Sequence, residues 1–215
     1  MRRIQEARRR LAADGPPRVR ADGDFERVAL PAGDSDVLRD LVLAEKPRTV
    51  IEIGLAYASS ALAIAEALVA AGPGDARHLI VDAYQELFYG SGWAAITEAG
   101  LAGLCCLIAE RSQIALPRLI GDGFVADAAF VDGSHIFHNV FADLFYLREL
   151  VRPGGLVILD DCSYLSVATA VSYFEVNTGW TPEPIARPTR LRAFRLPEAR
   201  IEPSFESFRP FGLEL

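Results

Sequence analysis

The chain has 215 residues, and the 51% that are hydrophobic suffice for the core of one α/β domain with a short extension. Its formal net charge of -7 argues against general nucleic-acid binding, which needs a basic surface, and suits an enzyme with a small substrate. No apolar run approaches the length of a membrane span, and no apolar signal region follows the first arginines. The cysteines form no disulfide framework, so Cys105 and Cys106 are expected to be buried thiols. We therefore expect a cytoplasmic protein that binds neither nucleic acid nor membranes.

Two helices and then five strand–helix repeats are predicted along the chain. A charged helix covers residues 1–13, and an amphipathic helix covers residues 35–44. Further on, apolar runs typical of strands buried on both faces alternate with helical segments. The predicted strands are 49–53, 78–82, 104–109, 126–131 and a fifth that follows a turn at 153–155. The helices of the repeats are predicted at 61–71, with a stop at Gly72-Pro73-Gly74, and at 93–100, 112–119, 137–150 and 166–177.

This alternation predicts an α/β fold with a doubly wound, mostly parallel sheet and right-handed crossovers. Two further strands, near 180–186 and 190–196, follow one another without a helix, which favours an antiparallel edge hairpin. The expected sheet is therefore seven-stranded. The predicted domains are an N-terminal helical extension (1–33), the α/β domain (34–197) and a C-terminal tail (198–215).

Carboxylates and a histidine follow two of the predicted strands. Asp132 and His135 come after the fourth strand, and Asp160 and Asp161 end the fifth. Because open α/β sheets bind ligands outside the carboxyl ends of their strands, these side chains predict a Mg²⁺-type ion beside a proton-transfer residue. The structural alternatives are that the acids cap a helix or bind backbone, and that His135 is a hydrogen-bonded structural residue.

The turn after the first strand and the acid after the second carry a further signal. Small residues between Gly54 and Ser60 let a ligand approach the backbone at a helix N-terminus. A dinucleotide fingerprint needs three glycines, so a carboxylate is an equally good anion for this turn. Asp82 ends the second strand, where an acid either accepts hydrogen bonds from ribose hydroxyls or caps the next turn.

In their order at successive strand ends, Glu52-Ile53-Gly54, Asp82, Asp132 and Asp160-Asp161 resemble a class I S-adenosylmethionine-dependent methyltransferase. More narrowly, the chain resembles the metal-dependent O-methyltransferases of the catechol, caffeoyl-CoA and macrolide-sugar type. The similarity covers roughly residues 34–197. It implies a Rossmann-like methyltransferase fold with S-adenosylmethionine as cofactor. It also implies a small-molecule acceptor with a hydroxyl of diol, catechol or sugar type, and natural-product tailoring as a context.

The resemblance also implies the residues that bind the cofactor. In that family the Glu-x-Gly turn and a later serine line the methionine moiety, and here these are Glu52, Gly54 and Ser60. Asp82 corresponds to the acid that binds ribose, and Ser112-Gln113 resembles a Ser-Gln pair beside adenine. Asp132 is expected among the cofactor-binding residues as well as the metal ligands. The family's usual glycine two residues before the serine is Ala58 here.

The metal ligands carried over from the family are Asp132, Asp160 and Asp161, for Mg²⁺ or another divalent cation. His135 stands where the catechol and caffeoyl-CoA enzymes have lysine and some sugar enzymes have histidine, which implies a general base. The expected function is metal-dependent O-methyl transfer. The alternatives are a metal-independent methyltransferase and a non-catalytic binding protein on the same fold. The aromatic segment 84–93 is expected either as part of a substrate lid or as packing under a loop. The N-terminal arginines either cover the pocket or contact a second subunit, which leaves a homo-oligomer open.

Overall fold

The protein is described by a computed structural model that covers residues 1–72 and 74–212. Pro73, in the predicted stop of the third helix, and residues 213–215 of the predicted tail lie outside the described residues. The chain divides into two compact units, Met1–Ser112 and Gln113–Leu215. None of the helices in the described residues combines the length and hydrophobicity that a membrane span requires.

The first unit contains three parallel strands in the order β3-β2-β1, with helices before and between them. Its register pairs Val50 with His78 and His78 with Cys105. A 3₁₀ helix at Gln85–Phe88 follows β2. The helices and strands are α1 (Arg2–Asp14), α2 (Asp24–Val28), α3 (Ala32–Glu45), β1 (Thr49–Ile53), α4 (Ser59–Ala71), β2 (Arg77–Val81), α5 (Ser91–Glu98) and β3 (Cys105–Ile108).

Helix α4 is the centre of this unit, because every residue from Ser60 to Leu68 is buried. A helix that is apolar nearly all round belongs in a core, and Glu66 is its one acidic exception. The Glu66 carboxylate accepts hydrogen bonds from the Arg8 guanidinium and, at 2.9 Å, from the Gln5 side chain. These bonds explain how the charged helix α1 lies against the apolar α4.

The second unit contains four strands in the order β4-β5-β7-β6. Strands β4 and β5 are parallel, with Val131 opposite Leu159, and β7 runs antiparallel to both β5 and β6. This register places the residues after Val131 and after Leu159 beside each other. The elements are α6 (Ser112–Gly121, which begins at the unit boundary), β4 (Ala126–Val131), α7 (Phe137–Leu150), β5 (Val151–Leu159), α8 (Leu165–Thr178), β6 (Thr181–Glu183) and β7 (Arg192–Arg195).

The predicted fold class, a mostly parallel seven-stranded sheet with an antiparallel edge hairpin, is confirmed. Strands β1 and β4 and helix α7 have the predicted bounds. Helix α2 and the 3₁₀ helix were not predicted, and both are too short to show a helical period. The expectation that Cys106 is buried is wrong, since it is exposed while Cys105 is buried. The predicted domain bounds stay a prediction.

Candidate active site

The β1–α4 turn (residues 54–60) has an unusual backbone. Gly54 has φ +95°, but the non-glycine residues Ala56 and Ala58 also have positive φ, +43° and +71°. Such conformations cost free energy in residues with a Cβ and persist only where the surroundings hold them. The sequence did not predict these positive φ angles, because Ala58 stands where the resembled family usually has glycine.

Asp82 holds this turn from one side. Its Oδ2 accepts the backbone N–H groups of Leu55 at 2.9 Å and Ala56 at 3.1 Å, and Oδ1 accepts the Tyr84 N–H at 2.6 Å. The Gln85 side-chain amide donates to the same Oδ2 at 3.0 Å. Asp82 therefore makes the contacts expected of a residue that caps the turn, and its role in ribose binding stays a prediction.

A hydrogen bond between Ser60 and Glu52 joins the two ends of the same turn. The Ser60 hydroxyl donates to Glu52 Oε1 at 2.5 Å, which fixes the first turn of α4 to strand β1. Glu52 Oε2 lies 2.8 Å from Nε2 of His78, and both side chains are fully buried. The Sγ of Cys105 lies 3.7 Å from Nδ1 of His78, and burial raises the pKa of this thiol to about 12. A buried polar chain thus runs from α4 across the three strands of the first unit.

Ser112 and Gln113, the predicted adenine pair, are the last residue of the first unit and the first residue of the second. Ser112 is the first residue of α6 and is half-buried. The Gln113 side-chain amide, in the second unit, donates to Oδ1 of Asn139 at 3.4 Å. Their contact with adenine stays a prediction.

Three of the predicted chemical groups come together in the second unit. Asp132, His135 and Asp161 each offer one ligand atom, and these atoms all lie within 4.8 Å of one another. Nε2 of His135 lies 2.9 Å from Oδ2 of Asp161. Asp161 has φ +56°, a left-handed conformation that turns the chain as it leaves β5. We call these three residues the acid–histidine cluster.

The charges of this cluster perturb one another. Burial, and then the charges of Asp160 and Asp161, raise the pKa of Asp132 to about 8. The hydrogen bond with Asp161 raises the pKa of His135 above its ordinary value, and the same bond lowers the pKa of Asp161. A carboxyl group that holds its proton because of neighbouring negative charge is one that a cation would ionise.

Asp160 lies outside the acid–histidine cluster, although it was predicted as a metal ligand. Its side chain is fully buried, Oδ1 accepts the Asp161 N–H at 2.7 Å, and Oδ2 pairs with the Arg190 guanidinium. Arg190 was not predicted as a site residue. It lies between β6 and β7, 30 residues from Asp160, and no local pattern links the two.

The donor set of the cluster fits a divalent cation. Two carboxylates supply the oxygen ligands that Mg²⁺ and Mn²⁺ prefer, and an imidazole is a better ligand for a transition metal such as Zn²⁺ than for Mg²⁺. The separation of the ligand atoms permits a shared ion. Burial, and then the charges of Asp160 and Asp161, raise the pKa of Asp132, and a bound cation would lower it again. Asp160 is not part of this set, and its role as a metal ligand stays a prediction.

An aromatic ring packs against the cluster, and exposed apolar residues adjoin it in the chain. The Tyr164 ring stacks on His135 with centroids 5.1 Å apart and planes at 23°. Ile136, Phe137 and Leu165, next to these two in the chain, are large and exposed. The Ser166 hydroxyl donates to the His135 carbonyl at 2.6 Å and so joins the loop before α7 to the start of α8. Exposed aromatic and aliphatic groups beside ionisable residues are typical of a site for an organic ligand.

Comparison with known proteins finds methyltransferases. A family model described as a methyltransferase domain matches residues 51–162. Among curated proteins, none matches. The solved structures include the O-methyltransferase TomG from Streptomyces achromogenes, involved in tomaymycin synthesis and bound to SAM, with 20% identity, a TM-score of 0.67 and coverage of 93% of this chain and 91% of that chain.

Two further structures are similar over nearly their whole length. Cofactor-bound Rv0187 from MTB is 20% identical with a TM-score of 0.69, and the match covers 92% of this chain and 90% of that one. An O-methyltransferase from Bacillus cereus in complex with SAH is 16% identical with a TM-score of 0.65, and covers 91% of each chain. These likenesses confirm the predicted Rossmann-like methyltransferase fold.

Proposed function

We propose, because the chain belongs to the methyltransferase-domain family, that it transfers the methyl group of S-adenosylmethionine to a hydroxyl of a small molecule with the help of a divalent cation. The family match spans more than half of the 215 residues. Membership confirms the predicted enzyme class, an S-adenosylmethionine-dependent methyltransferase. The observation that carries the metal and the hydroxyl acceptor is the approach of Asp132, His135 and Asp161 to within one ion's reach.

In the first unit we assign cofactor binding to the β1–α4 turn and its neighbours. Glu52, Gly54 and Ser60 would line the methionine moiety, and Asp82 would accept the ribose hydroxyls. Among the described residues, Asp82 Oδ1 accepts one N–H, from Tyr84. A carboxylate oxygen accepts two hydrogen bonds, so Oδ1 keeps capacity for a ribose hydroxyl.

In the second unit we assign the cation to Asp132 and Asp161. A bound divalent ion would lower the pKa of an acceptor hydroxyl and stabilise the alkoxide. His135 would remove the hydroxyl proton, since Asp161 holds Nε2 of the ring and leaves Nδ1 as the second nitrogen for the proton. The ring of Tyr164 and its exposed apolar neighbours would contact the body of the acceptor.

Metal-independent methyl transfer is the second candidate, and the ion pairs favour it. Asp160 is paired with Arg190 and Asp161 with His135, so the chain itself supplies two partners for the acids. In that case His135 would act with Asp161 alone, and Asp160 would be structural. The two candidates differ in whether an added cation is needed.

The deciding experiment measures S-adenosylhomocysteine formation with a panel of catechols, diols and sugars before and after EDTA treatment. Metal-dependent transfer predicts loss of turnover in EDTA, recovery with Mg²⁺ or Mn²⁺, and loss in Asp161→Asn. Asp122→Asn, on an exposed turn of the same unit, is the matched control and should keep full activity. Full activity in EDTA would leave the metal-independent reaction.

The role of His135 is separated from metal binding by a second measurement. If His135 is the base, His135→Ala should lower kcat by roughly 100-fold or more and keep the wild-type affinity for Mn²⁺. A matching loss of Mn²⁺ affinity would instead make His135 a ligand.

The cellular location and the class of methyl acceptor are each proposed from a single observation. The three cysteines are free, which is typical of a reducing compartment and supports a cytoplasmic location. The likeness to a protein of tomaymycin synthesis supports an acceptor of the natural-product type.

A further inference from the structure

We propose that the segment of residues 18–28, which we call the strap, clamps the β1–α4 turn, and that Asp24 and Tyr57 are positioning residues for S-adenosylmethionine. The inference rests on the proposed cofactor site in that turn. It extends the cofactor site to residues 18–28. These residues were not among those predicted from the sequence, and they precede the family match, which begins at residue 51.

One buried carboxylate connects the strap to the turn. The Tyr57 hydroxyl donates to Asp24 Oδ2 at 2.5 Å, and Arg20 donates through Nε and Nη2 to the two Asp24 oxygens, each at 2.9 Å. The Arg20 backbone N–H donates to the Tyr57 oxygen at 3.3 Å. Asp24 is 5% exposed and Tyr57 is 1% exposed, so water competes little for these bonds.

Aromatic packing joins a third element to the pair. The Tyr57 ring meets Phe25 of the strap edge-on at 5.6 Å, and it meets Phe88 of the 3₁₀ helix edge-on at 5.0 Å. The Arg20 guanidinium lies 4.5 Å from the centre of the Phe88 ring. The Ser91 hydroxyl donates to the Arg18 carbonyl at 3.3 Å. The strap therefore contacts both the turn and the aromatic segment 84–93.

The turn needs such a clamp because of its backbone. Ala56 and Ala58, on either side of Tyr57, have positive φ, and Asp82 fixes the backbone from the other side. A turn held in this conformation before the cofactor arrives loses less entropy on binding. By linkage, the bound cofactor must stabilise the strap to the same extent that the strap favours the cofactor.

The first test is calorimetric binding of S-adenosylmethionine to the full-length protein. Tyr57→Phe keeps the ring and removes the bond to Asp24, and Tyr146→Phe, in helix α7 of the other unit, is the matched control. Because a hydrogen bond to a charged group is lost, we expect roughly 10-fold weaker binding for Tyr57→Phe and an unchanged Kd for Tyr146→Phe. At saturating cofactor, kcat of Tyr57→Phe should stay within about twofold of wild type, since the change acts on binding.

A double-mutant cycle tests whether the two residues act as a pair. Asp24→Asn should weaken binding to a similar degree, and the double variant should be no weaker than either single variant. Additive losses would overturn the pairing. Arg20→Gln, at an exposed position of the strap, should weaken binding less and keeps the test available if Asp24→Asn folds poorly.

The second test measures the reciprocal effect. Trypsin can cut the strap after Arg18, Arg20 and Arg27, all of which are exposed. S-adenosylmethionine should slow these three cuts several-fold in the wild type and should have less effect in Tyr57→Phe. Equal cofactor affinity in Tyr57→Phe and wild type, or no protection of the strap in the wild type, would overturn the strap proposal alone. Failure of the wild type to bind the cofactor at all would overturn the proposed function and the strap together.

Discussion

The substitution Asp132→Asn should make the metal-free protein more stable at high pH. The pKa of Asp132 is raised from 3.8 to about 8, so the folded state holds a proton that the unfolded state releases. For such a group, stability decreases as pH rises from about 4 to about 8 and is lowest above that range. Asparagine has no proton to lose, and it removes this penalty.

The size of the effect follows from the shift. At about 1.4 kcal/mol for each pKa unit, the rise from 3.8 to about 8 would lower the free energy of unfolding by roughly 5–6 kcal/mol above pH 8 without solvent screening. Asp132 is partly exposed, and solvent screening reduces the expected gain to roughly 2–3 kcal/mol at pH 9. At pH 5 the gain should be small, because the carboxyl group is protonated in the folded state.

Thermal unfolding in EDTA at pH 5 and pH 9 measures this difference. A gain of that size should raise the Tm of Asp132→Asn above that of the wild type by roughly 5–10 °C at pH 9. Added Mn²⁺ should stabilise the wild type and have much less effect on the variant. Asp122→Asn serves as the control. A variant that gains no more at pH 9 than at pH 5 would refute the argument that burial and the neighbouring carboxylates raise the pKa of Asp132.

Three other changes give separate expectations. The Arg20 hydrogen bonds hold the pKa of Asp24 at about 2, so its contribution is present above pH 4 and is lost as pH falls from 4 to 2. Asp24→Asn should therefore lower the free energy of unfolding in urea by roughly 1–2 kcal/mol at pH 7 and by little at pH 2. Arg190→Gln removes the guanidinium from the buried Asp160 carboxylate, and calorimetry should show tighter Mn²⁺ binding together with a lower Tm in EDTA. Tyr164→Ala should raise the KM for the acceptor several-fold and leave the Kd for S-adenosylmethionine unchanged; equal effects on both would place Tyr164 outside the acceptor site.

The sequence predicted the parts of the fold and site that depend on local pattern. Apolar runs with sharp polar ends located β4 and β5, and parallel strands that are neighbours bring their carboxyl ends together. Asp132 and Asp161 therefore lie close to each other, as the pattern predicted. His135 joined them because only two residues separate it from Asp132.

The role of Asp160 depended on information that the pattern does not contain. The chain turns at Asp161, whose φ is +56°, so Asp160 and Asp161 do not share the same surroundings. Asp161 turns toward His135, and Asp160 pairs with Arg190. Helix α8 and strand β6 separate Arg190 from Asp160 along the chain, and no spacing rule connects the two residues.

The strap was missed for a similar reason. Its helix α2 has five residues, fewer than a helical pattern needs, and the hydrogen bond from Tyr57 to Asp24 spans 33 residues. Cys106 was misjudged because strand β3 is at the edge of its unit's sheet, where alternate residues face solvent.

Calorimetric titration of the metal-free protein with Mn²⁺ tests the central claim most directly. The acid–histidine cluster predicts one bound ion per chain in the wild type, and affinity reduced by roughly 10-fold or more in Asp161→Asn. It also predicts unchanged affinity in Asp122→Asn. No binding by the wild type, or equal binding by wild type and Asp161→Asn, would contradict the assignment of the cluster as a cation site.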